Sequence, residues 1–111
     1  MTITVKVLIP AKIAEATQTT QYTASGVTTI IDKFTATNYS GTAATISVNL
    51  VTSADTAGNQ NLITKTKTLQ PSEVYTFPEL VGQVLMASGF ISTIAGTATS
   101  INIRASGREV S

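Results

Sequence analysis

The chain has 111 residues, enough for one domain with a modest core, and contains no cysteine, histidine or tryptophan. Those absences exclude disulfide scaffolds, thiolate zinc sites, thiol nucleophiles and any Ser-His-Asp arrangement. Charged residues are only 12% and cancel to +1, so nothing in the composition offers a footprint for nucleic acid or an anionic membrane.

Threonine supplies 21 residues, and Thr, Val and Ile together supply 41. A β-branched excess of this size disfavours helix and suits pleated sheet. The elements follow in chain order. Ile3, Val5, Val7 and Ile9 alternate with Thr2, Thr4 and Lys6, the period-two pattern of a half-buried strand that Pro10 should stop. The short apolar stretch Val7-Leu8-Ile9, cut by Pro10 and Lys12, is no secretory signal core. Residues 11–17 are alanine-rich and read as one helical turn or a loop. Thr19 to Ala24 is a second strand, closed by the turn signal Ser25-Gly26. In Val27 to Asn38, Ile31 and Phe34 break strict alternation, which predicts a bulge near Asp32-Lys33. Asn38 to Gly41 is turn chemistry, and its glycosylation-like tripeptide Asn38-Tyr39-Ser40 is read as part of that turn. Thr45 to Val51 alternates again, with Ile46, Val48 and Leu50 inward.

Thr52 to Gln60 is polar and loop-like. Leu62 to Leu69 resumes alternation, and Lys65 and Lys67 read as guards against edge-to-edge pairing. A short strand, Glu73 to Phe77, follows. Pro78 then sits where a helix starts, and Glu79, Leu80, Val84 and Leu85 have helical spacing. Phe90 to Ala95 and Thr99 to Ala105 are the last strands, with the tail from Ser106 to Ser111 able to extend the final one. Leu80 to Ile103 runs 24 residues without a charge. Its many Ser, Thr, Asn and Gly residues argue against a spanning helix and for strands in a core or subunit contact. The expectation is one all-β domain over residues 1–111, an eight-stranded antiparallel jelly-roll-like β-sandwich with one short helical insertion. The nearest rival is a seven-stranded immunoglobulin-like sandwich.

Candidate chemistry is sparse. Glu73 and Glu79 are the nearest carboxylate pair and read as solvated edge charges. Asp55, Asn59 and Asn61 lack the carboxylates and closing glutamate of a calcium loop of the EF-hand kind. Tyr22, Tyr39 and Tyr75 could stack on sugar rings if they shared one face. Arg104, Arg108 and Glu109 form a candidate docking point for an acidic partner. No enzyme, cofactor, metal or small-molecule substrate is expected. A nearly uncharged Thr/Ser/Asn surface favours association, and exposed sheet edges favour it further.

The segments Val84-Leu85, Gly89-Phe90-Ile91, Ile94-Ala95-Gly96-Thr97-Ala98 and Ser100 to Glu109 resemble the ending of small tailed-phage structural proteins. Pro10-Ala11-Lys12, Thr19 to Ala24 and Asp32 to Asn38 are similar to other parts of those proteins. The resemblance implies a jelly-roll virion protein that cements or decorates the capsid exterior, made in the bacterial cytoplasm and acting as a homo-oligomer, dimer or trimer, on the major capsid protein. It implies neither a nucleic-acid nor a membrane partner. Candidate subunit or capsid contacts are Ile3, Val5, Val7, Phe90, Ile94, Ile101, Arg104 and Arg108, with the N-terminal strand as an edge open to augmentation. The alternative is a tail or fibre sandwich that binds a host receptor or glycan through its tyrosines and polar loops.

Overall fold

The computed structural model describes residues 1–111. Two antiparallel sheets pack face to face around a core of Leu8, Ile9, Ile31, Phe34, Ile46, Val48, Leu69, Phe77, Leu80, Ile91, Ile101 and Ile103. The strands are β1 (Ile3–Ile13), β2 (Thr19–Thr23), β3 (Thr28–Asn38), β4 (Ala44–Val51), β5 (Leu62–Leu69), β6 (Val74–Tyr75), β7 (Val84–Leu85), β8 (Phe90–Ala95) and β9 (Ile101–Val110). Sheet A has the order β1-β9-β3-β6 with β7 also on β3, and sheet B the order β2-β8-β4-β5. The pairings are nested: β1 with β9, β2 with β8, β3 with β6 and β7, β4 with β5.

There are nine strands rather than the expected eight, and no α-helical insertion. The segment after Pro78 has helical spacing but cannot hold helical dihedrals. Phe77 (φ 45°) and Gly82 (φ 84°) are left-handed at its two ends, so the chain turns, buries Leu80 and Leu85, and returns to pair with β3. The only helical piece is a single 3-10 turn, Asn59–Asn61. Pro10 does not end β1 either. It lies in an irregular stretch between the pairs Ile9↔Ala105 and Lys12↔Ile103 on an edge strand, where a missing N–H is tolerated. The bulge expected near Asp32-Lys33 is present as a register shift between Ile31 and Lys33 against β9.

Polar groups close both seams between the sheets. On one side Tyr22 of β2 reaches Thr29 (2.6 Å) and Glu109, and Lys6 also meets Glu109 (3.3 Å). On the other, Thr64 and Tyr75 both donate to Glu79, and the Lys67 ammonium lies 4.8 Å from the Tyr75 ring centroid. The Phe77 ring fills the core between them, 4.7 Å from Phe34 and 4.6 Å from Tyr75.

Candidate interaction surface

The most unusual surface is the outer face of sheet A. Leu8 and Ile9 are both buried, which is possible because a register shift separates Val7 from Ile9. Gly107 makes room there: a Cβ would lie 2.1 Å from the Ile30 carbonyl oxygen and 2.9 Å from Leu8 Cδ1. Before the shift the strand's apolar residues face outward. Ile3, Val5 and Val7 are 54%, 83% and 42% exposed, contrary to the inward face that alternation suggested. Their inward-facing neighbours are Thr4 and Lys6, and the Lys6 ammonium lies against Glu109.

Register carries this apolar edge across the sheet. Val5 lies opposite Arg108, Arg108 opposite Ile30, and Ile30 opposite Val84. The neighbouring row joins Ile3, Val110 and Thr28. Val84 and Met86 are exposed. Sequence reasoning missed Ile30 and Val84. The adjacent pair Ile30-Ile31 was the available signal, since two neighbours on one strand cannot both point inward. Val84 was hidden by the helical reading of its segment.

One cation stands within the first row, between Val5 and Ile30, and others lie beside it. The Arg108 guanidinium forks onto Asp32, 2.9 Å from Nη2 to Oδ1 and 3.0 Å from Nε to Oδ2. The hydrogen bond to that carboxylate, with its charge, raises the arginine's pKa further. Arg104 and Lys33 enter no ion pair. Together with Thr35 and Ser106 they line a shallow cavity of about 130 Å³. The face is therefore apolar at one end and cationic beside it.

The remaining expected contacts divide. Phe90 and Ile94 are half-buried on sheet B. Ile101 is fully buried in the core: its pair Asn38↔Ile101 faces inward, so it is a packing residue and no surface contact. The outer face of sheet B is covered by the chain itself. Asn49 donates to the Gly58 carbonyl (3.0 Å) and to Asn61 Oδ1 (2.7 Å), while Gln18 donates to Asn49 (3.3 Å) and Ser92 (2.7 Å). A cleft of about 180 Å³ remains over this face, lined by Gln18, Asn49, Gly58, Asn59 and Lys65 among others.

The three tyrosines share no surface. Tyr22 is buried, Tyr75 is half-buried with its hydroxyl 2.6 Å from Glu79 Oε1, and Tyr39 is exposed. Burial and the bond to Glu109 push the Tyr22 phenol up to about 12, and the bond to Glu79 with burial raises Tyr75 to about 12. The Tyr22 hydroxyl and then Lys6 hold the Glu109 carboxyl below its usual range. For Glu79, burial works upward, but the Thr64 and Tyr75 hydroxyls outweigh it and the net shift is down. Asp55 is likewise lowered, by the Thr56 N–H and then the Gln60 amide, so its oxygens are already engaged within the loop. These hydrogen bonds tie the side chains into the fold: Tyr22 to Glu109 at one seam, Thr64 and Tyr75 to Glu79 at the other, and Asp55 within its own loop.

Comparison with protein-family models, with curated proteins and with solved structures found no match, so the functional reading rests on this surface and on the sequence.

Proposed function

We propose that the chain is a non-enzymatic structural protein of a tailed-phage virion, a cement that binds across neighbouring major capsid subunits on the shell exterior. The observation that carries this reading is the bare outer face of sheet A, where Ile3, Val5 and Val84 are half exposed or more. Exposed apolar residues gathered in one patch mark an interaction site, whereas scattered ones do not. The neighbouring Arg104 and Lys33 suit an acidic partner surface. A protein that binds only the assembled shell stabilises it by mass action, without any chemistry of its own.

The nested strand pairings support the jelly-roll part of the reading. They are what results when one long hairpin is rolled into a sandwich, with β6 and β7 serving as two halves of one strand on β3. Purified particles test the function directly. Mass spectrometry should find the chain in the virion, and particles assembled without it should lose their genome at lower temperature. Particles that lack the chain, or that are equally heat-stable without it, would remove the cement role. A tail or fibre module that binds a glycan is the second reading, favoured by the amide-lined cleft over sheet B. It predicts saturable sugar binding that Asn59→Ala weakens, and flat glycan-array signals would end it.

A further inference from the structure

The edge of sheet A is complementary to itself. Thr2 and Ser111 exchange both main-chain bonds, 2.8 Å and 2.9 Å. In an antiparallel ladder such pairs alternate with pairs whose N–H and C=O groups point away from each other. Thr2, Thr4 and Lys6 therefore spend their main-chain groups on β9, whereas Ile3, Val5 and Val7 turn theirs to the open side of β1. The main-chain bonds outside the ladders use none of those three residues. The same residues carry the exposed apolar side chains. Hydrogen-bonding capacity and apolar surface thus coincide on one short, regular stretch.

We propose that β1 pairs antiparallel with β1 of a second copy of this chain, about a two-fold axis at Val5. Open-side donors and acceptors must meet their like, so odd-numbered residues pair only with odd-numbered residues. Centred on Val5, the ladder pairs Val5 with Val5 and Ile3 with Val7 in both directions, and every outward group of the stretch is used. Lys6 then stands opposite Thr4 of the second copy. Centring on Lys6 would set two ammonium side chains directly opposite, a like-charge pair that destabilises sheets. Pro10, which lacks an N–H, falls just beyond the paired stretch in the Val5 register. Side-chain pairing on the outer face is apolar throughout, and the apolar rows of the two sheets become continuous. A C2 contact is isologous, so one self-complementary stretch is sufficient to form it.

The pairing names the residues for the homo-oligomer part of the proposed function but does not depend on a capsid, and it is tested on the purified chain alone. Sedimentation equilibrium should show a monomer–dimer equilibrium. The Val5 N–H makes no bond to β9, so Val5→Pro leaves the chain's own ladder whole. It removes the two bonds at the axis and should weaken dimerisation roughly tenfold or more. The parent has no cysteine, so single substitutions report the register. Under mild oxidation Val5→Cys should cross-link to itself, the paired Cα atoms lying about 5.5 Å apart. Ile3→Cys should cross-link only when mixed with Val7→Cys. A chain that stays monomeric at every concentration, a dimer indifferent to Val5→Pro, or Ile3→Cys joining itself as fast as Val5→Cys would each overturn the pairing.

Discussion

The outer faces of the two sheets are finished in opposite ways. On sheet B the outward residues Ser47, Asn49 and Ser92 are polar yet only 8%, 3% and 2% exposed. Gln18, Gly58 and Asn61 are hydrogen-bonded over Asn49 and Ser92, the Thr66 N–H donates to Ser47, and no buried side-chain nitrogen or oxygen is left without a partner. On sheet A the outward residues at one end are Ile3, Val5, Ile30 and Val84 with Arg108 among them, and Ile3, Val5 and Val84 are half exposed or more. The edges repeat the contrast. β5 is interrupted by a register shift around Thr66, whose φ is 43°, and presents exposed Lys65, both devices that discourage further pairing. β1 is regular from Ile3 to Val7. A face covered by its own chain needs no neighbour, which is why the proposed function puts the contact on sheet A.

The largest effect expected comes from removing the accommodation that sets β1 in place. In Gly107→Ala the new methyl meets a carbonyl oxygen of β3 as well as the Leu8 side chain. The backbone cannot yield as a side-chain end would, and a loss of about 3 kcal/mol is expected. Chemical denaturation measures it, and an unchanged midpoint would mean that β3 and β9 shift apart freely. Next, Asn49→Ala should convert the covered face into a bare one. It leaves the Gly58 carbonyl and the Gln18 amide short of a partner each, at a cost of about 2 kcal/mol. Limited proteolysis should then cut within residues 52–61 before the strands. Cleavage elsewhere first would show that Asn49 is not what holds the cover down.

The alternation of Ile46 and Val48 was enough to orient β4, whose apolar face the core takes. In Leu62 to Leu69, by contrast, the buried residues are Thr64 and Leu69, on opposite phases, because register shifts against β4 interrupt the strand. The β3 bulge was visible as a break in the alternation at Ile31 and Phe34. The N-terminal strand shows where such reasoning ends. Its period was right, but period does not say which face is the core. The shift between Val7 and Ile9, which reverses the faces, brings Leu8 against Gly107, about a hundred residues away, where a Cβ would lie 2.9 Å from Leu8 Cδ1. The helix expected after Pro78 failed for a comparable reason. Leu80 and Leu85 do reach the core, but through turns that helical spacing imitates. Of the candidate contacts, Ile3, Val5, Val7, Arg104 and Arg108 fall on one face of sheet A, and the buried Ile101 shows that a residue's apolar character alone does not distinguish core from contact.

The seams between the sheets give a smaller effect, read against pH. Tyr22 and Tyr75 are held protonated to about 12 in the folded chain against 10.0 unfolded. Their contribution is complete below pH 10 and is lost as the pH rises toward 12, since the unfolded state sheds its phenol protons first. Glu109 and Glu79 are shifted down from 4.5, so theirs is complete above that value and lost as the pH falls through the lowered folded value. Thermal melts should therefore decline at both extremes, and Tyr22→Phe should flatten the alkaline limb. An alkaline limb unaltered by that substitution would detach Tyr22 from the stability of the seam.

The smallest change in stability is expected where the change in behaviour is most telling. Val5→Thr keeps a β-branched side chain on an exposed strand position and should alter stability by less than about 0.5 kcal/mol. It also places a hydroxyl at the centre of the bare face. Val74→Thr is the control: Val74 is 55% exposed and pairs with Thr37, away from the apolar rows. Val5 is 83% exposed against 55% for Val74, so each shift is scaled to the residue's own exposure before the two are compared. Beyond that area, only the patch presents contiguous apolar surface to a flat partner. Retention on a hydrophobic-interaction column should therefore fall further for Val5→Thr than for Val74→Thr, although Val5 and Val74 are both exposed apolar residues of sheet A. Equal scaled shifts would mean that the face of sheet A acts as scattered residues rather than as a surface, and the contrast with sheet B would lose its functional meaning.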